Sequence, residues 1–149
     1  MVRSILFVCH ANICRSPIAE AIASKIARNR GLDLTIDSCG LSSLYAGEMP
    51  CNYSVRIAGE HGIDISSMRA RQITYKDIDT FELIIAHDDK NRLELMEMGA
   101  KNVLKLGAFG YNGGDIPDPH LFPSYEGVDE VYAIIERCVT NLLEELTEK

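Results

Sequence analysis

The sequence predicts an α/β protein, a three-layer sandwich in which a central four-stranded parallel sheet carries helices on both faces. Two observations predict it. Short apolar runs rich in strand formers alternate along the chain with stretches whose apolar residues recur at helical spacing. The 149 residues, 46% of them hydrophobic, suffice for one core and are few for two, so residues 1–149 are expected to form a single domain.

The first strand is RSILFV, 3 to 8. A helix follows over 16–31, with Ile18, Ile22 and Ile26 on one face, Ser16 as its N-cap, Pro17 at its first position and Gly31 as its stop. Leu34, Ile36 and Ser38 alternate in a second strand over 33–40, and a Gly-, Ser- and Pro-containing loop leads to Pro50. NYSVRIAGEHG, 52 to 62, reads as a helix, and Thr74 placed three residues before Asp77 predicts a short capped helix over 74–81. FELIIAH, 81 to 87, is a buried strand; DDKNRLELMEMG, 88 to 99, is a helix with acids in its first turn; NVLKL, 102 to 106, is the fourth strand. Between 107 and 124 lies an irregular stretch with four glycines and three prolines, long enough to be a candidate for part of a site. Residues 127–147 form the last helix, its apolar face drawn from Val128, Val131, Ile135, Cys138, Leu142 and Leu146.

Composition narrows the function. The net charge of −7 and the mixing of signs give no basic stripe for nucleic acid or an anionic membrane. No apolar run is long enough to span a bilayer or to serve as a signal peptide, which points to the cytoplasm. Five cysteines, an odd number, suit reduced thiols better than a disulfide framework, and the absence of a C-x2-C pair speaks against a zinc site, so no metal and no cofactor is expected.

The chemistry concentrates in CHANICRS, Cys9 to Ser16, between the first strand and the first helix. At that place in an open α/β sheet, backbone N–H groups and the helix N-terminus attract anions. Arg15 adds a planar fork that can bind two phosphate oxygens. A thiol near a helix start and an arginine is favoured as thiolate, so Cys9 can serve as a nucleophile on phosphorus. The glycines and lysine of nucleotide-binding loops are missing.

FVCHANICRSPIAEAI resembles the signature of the low-molecular-weight protein tyrosine phosphatases, V-C-x-G-N-x-C-R-S-P followed by an A-E-A helix. Similar matches run through IDSCG, HGIDISSMRARQIT, AHDDKN and PDPH. The resemblance implies hydrolysis of phosphotyrosine, in proteins or as small aryl phosphates, through a thiophosphate on Cys9, with inorganic phosphate as product. Arg15 then binds the phosphoryl group along a loop formed by His10, Ala11, Asn12, Ile13, Cys14 and Ser16. Asn12 and Ser16 organise the loop, the Ser16 hydroxyl reaching the Cys9 sulfur, and Ser38 ties Asn12 from the second strand. Ser16 can equally be a plain N-cap. Asp118 is the implied general acid and then base; read without the family, an aspartate between prolines is a turn. Asp88 matches an aspartate that contacts the loop arginine, or simply opens a helix. Cys14 is the implied partner of Cys9 in a reversible disulfide. Tyr45 and His120 are the expected walls of the substrate slot.

Three positions depart from the pattern. Ala11 replaces a glycine, which would strain the loop if a positive φ were needed there. Met68 replaces a histidine before A-R-Q, and His120 an aromatic, commonly tyrosine. Isoleucine at 13 resembles the tyrosine-specific members rather than those that act on phosphoarginine, which carry threonine. The competing readings are an arsenate reductase, whose relay cysteines are expected near 80–92 where none occurs, and a non-catalytic phosphate-binding module. A monomer is the default expectation.

Overall fold

The structure, a computed structural model, describes residues 2–118 and 126–147. In chain order the elements are β1 (Ser4–Cys9), α1 (Arg15–Asn29), β2 (Thr35–Gly40), α2 (Asn52–Glu60), α3 (Tyr75–Thr80), β3 (Leu83–Ala86), α4 (Asp89–Glu97), β4 (Val103–Lys105), a 3₁₀ turn (Leu106–Phe109) and α5 (Glu126–Thr147). The four strands form one sheet in the order β2-β1-β3-β4, every neighbouring pair parallel.

β1 is central and has helices on both sides, which is why its sequence is nearly continuously apolar. Its side chains alternate between two cores. Ile5 and Phe7, with Leu83 and Ile85 of β3, pack under Ile18 and Ile22 of α1 and Val131, Ile135 and Leu142 of α5. Leu6 and Val8, with Ile84 and Ala86, pack against Leu95 of α4 and Ile78 of α3. This is the expected three-layer arrangement, and the face foreseen for the last helix is the buried one, with Leu146 at its partly covered end.

Two local expectations are corrected. α1 begins at Arg15, two residues before the predicted first helical position at Pro17, and its N-cap is Cys14, which makes no side-chain capping bond. Ser16 is therefore not the N-cap. It is fully buried inside the first turn, and its hydroxyl is engaged elsewhere. Pro17 is third in the helix, where its missing N–H still falls among the donors that no helical carbonyl could meet. The other end is as read: Gly31 has φ +65°, with its N–H on the Arg28 carbonyl and that of Leu32 on Ala27. This 5→2 and 6→1 pair closes a Schellman turn, which favours glycine. Leu106, read as the end of the fourth strand, opens the 3₁₀ turn.

The short helix after Thr74 carries the foreseen reciprocal cap: the Thr74 side chain accepts from the Asp77 N–H, and the Asp77 carboxylate accepts from the Thr74 N–H. That cap anchors the segment running back to Arg71, which lies against the carboxyl end of β2.

Candidate active site

The strands are parallel, so the carboxyl ends of β1, β2 and β3 lie together and the loops leaving them converge. The loop after β1 runs from Cys9 to Ser16. Its carbonyls point outward: Cys9 O accepts from the Leu41 N–H, His10 O from Ser42, and Ile13 O from Cys51. Gly40, at the end of β2, lets this loop pass close by, since a Cβ there would stand 2.9 Å from both the Ala11 carbonyl carbon and the His10 oxygen.

Cys9 is 3% exposed. Its Sγ lies 3.0 Å from Ser16 Oγ and accepts from the Asn12 N–H at 3.2 Å. Ser16 Oγ itself accepts from Asn12 Nδ2 at 2.8 Å, which leaves its own proton available to a Cys9 thiolate. Asn12 Nδ2 also donates to Ser38 Oγ at 3.0 Å, and Ser38 Oγ donates to Glu20 Oε1 at 2.6 Å. Asn12 Oδ1 accepts from the Arg71 N–H at 3.1 Å. A single chain of hydrogen bonds thus runs from Glu20 through Ser38, Asn12 and Ser16 to the Cys9 sulfur. Asn12 has φ +60°, a left-handed conformation that asparagine tolerates better than most residues. The strain expected at Ala11 is absent, because the positive angle falls one residue later.

Burial raises the Glu20 carboxyl above its usual range, and the Ser38 hydrogen bond only partly offsets this. Met68, where a histidine was expected, lines a small hollow with Glu20, Ser38 and Asn12 and brings no polar atom but sulfur to it. Arg71 is held in turn by Asp77, at 2.8 and 3.0 Å, and by Asp37 at 2.9 Å.

Arg15 is 5% exposed; its Nη1 donates to Asp88 Oδ2 at 3.1 Å and to the Ile116 carbonyl at 2.9 Å. Both sequence readings of Asp88 hold, since its other oxygen caps α4 by accepting from the Asn91 N–H. Ile116 is buried and donates its own N–H to the His87 carbonyl, while His87 Nδ1 lies 2.8 Å from the Val8 carbonyl. Full burial, followed by the charge of Arg15, lowers the His87 pKa to about 3. His87 is thus a neutral strut, its Nδ1–H on Val8, one residue before Cys9.

Cys9, Arg15 and Asp118 line one cavity of about 170 Å³, together with His10, Ala11, Ile13 and Cys14 of the loop and Tyr45, which is 40% exposed. That is small beside the ~300 Å³ lower end of ordinary ligand pockets, and it suits a phosphoryl group with one ring. A larger cavity of about 410 Å³ between α1 and α5 holds none of the sequence-predicted site residues. His120 lies outside the described residues. Among the described residues no cluster of His, Cys, Asp and Glu could hold a metal ion, and no helix is long and apolar enough to cross a membrane.

Four contributors were not foreseen. The Ile116 carbonyl and the Arg71 N–H are backbone groups, and residue type carries no sign of them. Glu20 carries no motif that marks it for the site. Cys51 lies outside every motif singled out in the sequence, yet its Sγ accepts from Cys14 Sγ at 2.8 Å. That bond and burial together push the Cys14 thiol far up.

A doubly covered parallel sheet with a cysteine-to-arginine anion loop at its carboxyl edge defines the class: an α/β protein built to hold a phosphoryl group beside a cysteine. The family model for low molecular weight phosphotyrosine protein phosphatase matches residues 4–149. The Bacillus subtilis low molecular weight protein-tyrosine-phosphatase YfkJ is 37% identical over 133 residues, 84% of this chain and 85% of that protein. The human low molecular weight phosphotyrosine protein phosphatase is 39% identical over 142 residues, 92% of this chain and 89% of that one. Among solved structures, a Drosophila arginine phosphatase superposes with a TM-score of 0.90 at 30% identity, over 99% of this chain and 98% of the other. The chain belongs to the low molecular weight phosphotyrosine protein phosphatase family, and with it to the protein-tyrosine-phosphatases.

Proposed function

We propose that this protein hydrolyses phosphotyrosine, in proteins and as small aryl phosphates, by double displacement at Cys9. The observation that carries the reading is the sharing of one small cavity by Cys9 Sγ, Arg15 and Asp118, with the sulfur already hydrogen-bonded to Ser16.

The Cys9 thiolate attacks phosphorus; an S–P bond forms and the bond to the phenolic oxygen breaks. Asp118 gives its proton to that oxygen as it leaves. In the second half, the Asp118 carboxylate takes a proton from water, the water oxygen bonds to phosphorus, and the S–P bond breaks to release inorganic phosphate. The Ser16 hydroxyl and the Asn12 N–H stabilise the departing sulfur. Arg15 holds the equatorial oxygens, aided by the loop amides from His10 to Cys14 and the start of α1. The outward carbonyls of Cys9, His10 and Ile13 support that role for the amides. Arg15 is aimed by Asp88 and Ile116, and Ser38 keeps Asn12 in place. Tyr45 and His120 flank the substrate ring. The whole chain works as one domain and as a monomer in the cytoplasm, with no cofactor. Cys14 is the redox partner in the loop.

Ile13 favours phosphotyrosine over the substrate named for the Drosophila relative. Its bulky side chain lines the cavity, where the resemblance associates threonine with phosphoarginine.

The test is turnover of p-nitrophenyl phosphate at mildly acidic pH in excess chelator. Cys9→Ser is expected to abolish turnover, and Asp118→Ala to lower kcat by about 10²–10⁴-fold. An inactive, fully reduced parent would leave phosphate binding without catalysis.

A further inference from the structure

Cys14 and Cys51 are 37 residues apart in sequence, yet their sulfurs lie 2.8 Å apart. A disulfide needs about 2.05 Å, so less than an ångström of approach closes the bond. The backbones on either side are fixed for it. The Cys51 N–H donates to the Ile13 carbonyl at 2.7 Å, and Ser54 Oγ donates to the Cys14 carbonyl at 2.8 Å. The two thiols are unlike. Cys14 is buried and donates its proton, whereas Cys51 is half-buried at the N-cap of α2 and accepts it, with Ser54 Oγ 3.2 Å from its sulfur. The accepting, more accessible sulfur is the better nucleophile of the pair.

We infer that Cys14 and Cys51 form a redox-active dithiol that hydroperoxides convert to a disulfide, leaving Cys9 as a thiol. A hydroperoxide takes an electron pair from the Cys51 sulfur and transfers one oxygen, giving a sulfenic acid and an alcohol or water. Cys14 attacks that sulfur; the S–S bond forms, the S–O bond breaks, and the hydroxide leaves as water with the Cys14 proton. Where Cys9 is oxidised first and Cys14 closes on it, the Cys51 thiolate attacks Cys14 Sγ. The Cys9–Cys14 bond then breaks, Cys9 departs as thiolate, and the product is the same Cys14–Cys51 disulfide, with no further oxidant. Cys14 thus has a partner outside the loop, and oxidation is carried away from the nucleophile.

The experiment treats reduced, full-length protein with stoichiometric hydrogen peroxide, alkylates it under denaturing conditions, and maps disulfides by mass spectrometry of an unreduced digest. The linkage is read independently of turnover, so its failure is distinct from failure of the phosphatase reading. The expected result is three alkylated cysteines where the reduced chain has five, with fragment ions joining Cys14 to Cys51 and an alkyl group on Cys9. In Cys51→Ser that cross-link disappears and the oxidised form carries Cys9–Cys14 instead. A Cys9–Cys14 bond as the end product in the parent would overturn the inference. So would five alkylatable thiols after treatment, or a cross-link that persists in Cys51→Ser.

Discussion

The two sides of the cavity are built differently. On the nucleophile side, Asn12 alone joins four partners, the Cys9 sulfur, Ser16, Ser38 and the Arg71 N–H, all within 2.8 to 3.2 Å and all around a nearly inaccessible core. On the acid side, Asp118 lies two residues beyond Ile116, which is pinned between the Arg15 guanidinium and the His87 carbonyl, with Asp115 held outside by Lys105. The sulfur thus sits in a mesh of side-chain bonds, while the backbone leading to Asp118 is tethered at Ile116. Under the proposed double displacement, a thiol that is both nucleophile and leaving group needs its donors in place throughout, whereas an acid that changes role between two steps tolerates a longer lever.

The mesh breaks most visibly at Asn12. Asn12→Ala removes three side-chain hydrogen bonds, leaves Ser38 and the Arg71 N–H without that partner, and places alanine at φ +60°. The expected cost is about 3 kcal/mol in denaturant unfolding, with kcat for p-nitrophenyl phosphate falling more than KM rises. An unchanged kcat would mean that the loop holds its shape without the amide.

On the tether side, Asp88→Asn keeps the cap on α4 but removes the countercharge 3.1 Å from a buried Arg15. The loss should be smaller, about 1–2 kcal/mol, because Asp88 is partly open to water. Comparing the activity loss at equal fractions folded separates the two sides: equal effects would dissolve the distinction between mesh and tether.

The smallest effect is expected at the far end of the mesh. Glu20 has a raised folded-state pKa, so the folded chain binds more protons there than the unfolded chain, whose ordinary value is 4.5. Its contribution to stability is present below 4.5 and is lost as pH rises through the folded value. Glu20→Gln should therefore lose less Tm than the parent between those limits. Parallel Tm profiles would remove Glu20 from the network.

The layered fold was legible because burial on two faces writes long apolar strands and regular helical stripes into β1, α1 and α5. So was the line from Cys9 to Arg15, since each residue type there has a chemical reason for its place. The geometry between them was less so. The helix starts at Arg15 because the sulfur and Asn12 draw the Ser16 hydroxyl inward, a competition that capping preferences do not anticipate. The left-handed turn sits at Asn12 and not at Ala11 because the amide supplies the bonds that secure it. Cys51, Glu20 and Ile116 escaped notice because they meet the loop only across folds of the chain, and proximity over such separations leaves no local pattern.

One further consequence concerns synthesis. Cys9 and Arg15, at the end of β1 and the start of α1, are made early, but the groups that shape their site are made much later: Ser38, then Arg71, Asp88 and finally Ile116 with Asp118. A nascent chain therefore carries Cys9 long before the pocket around it can form. Assembly of the pocket is thus a late event of biogenesis, because it waits for residues as far along the chain as Ile116 and Asp118 to fold back upon β1.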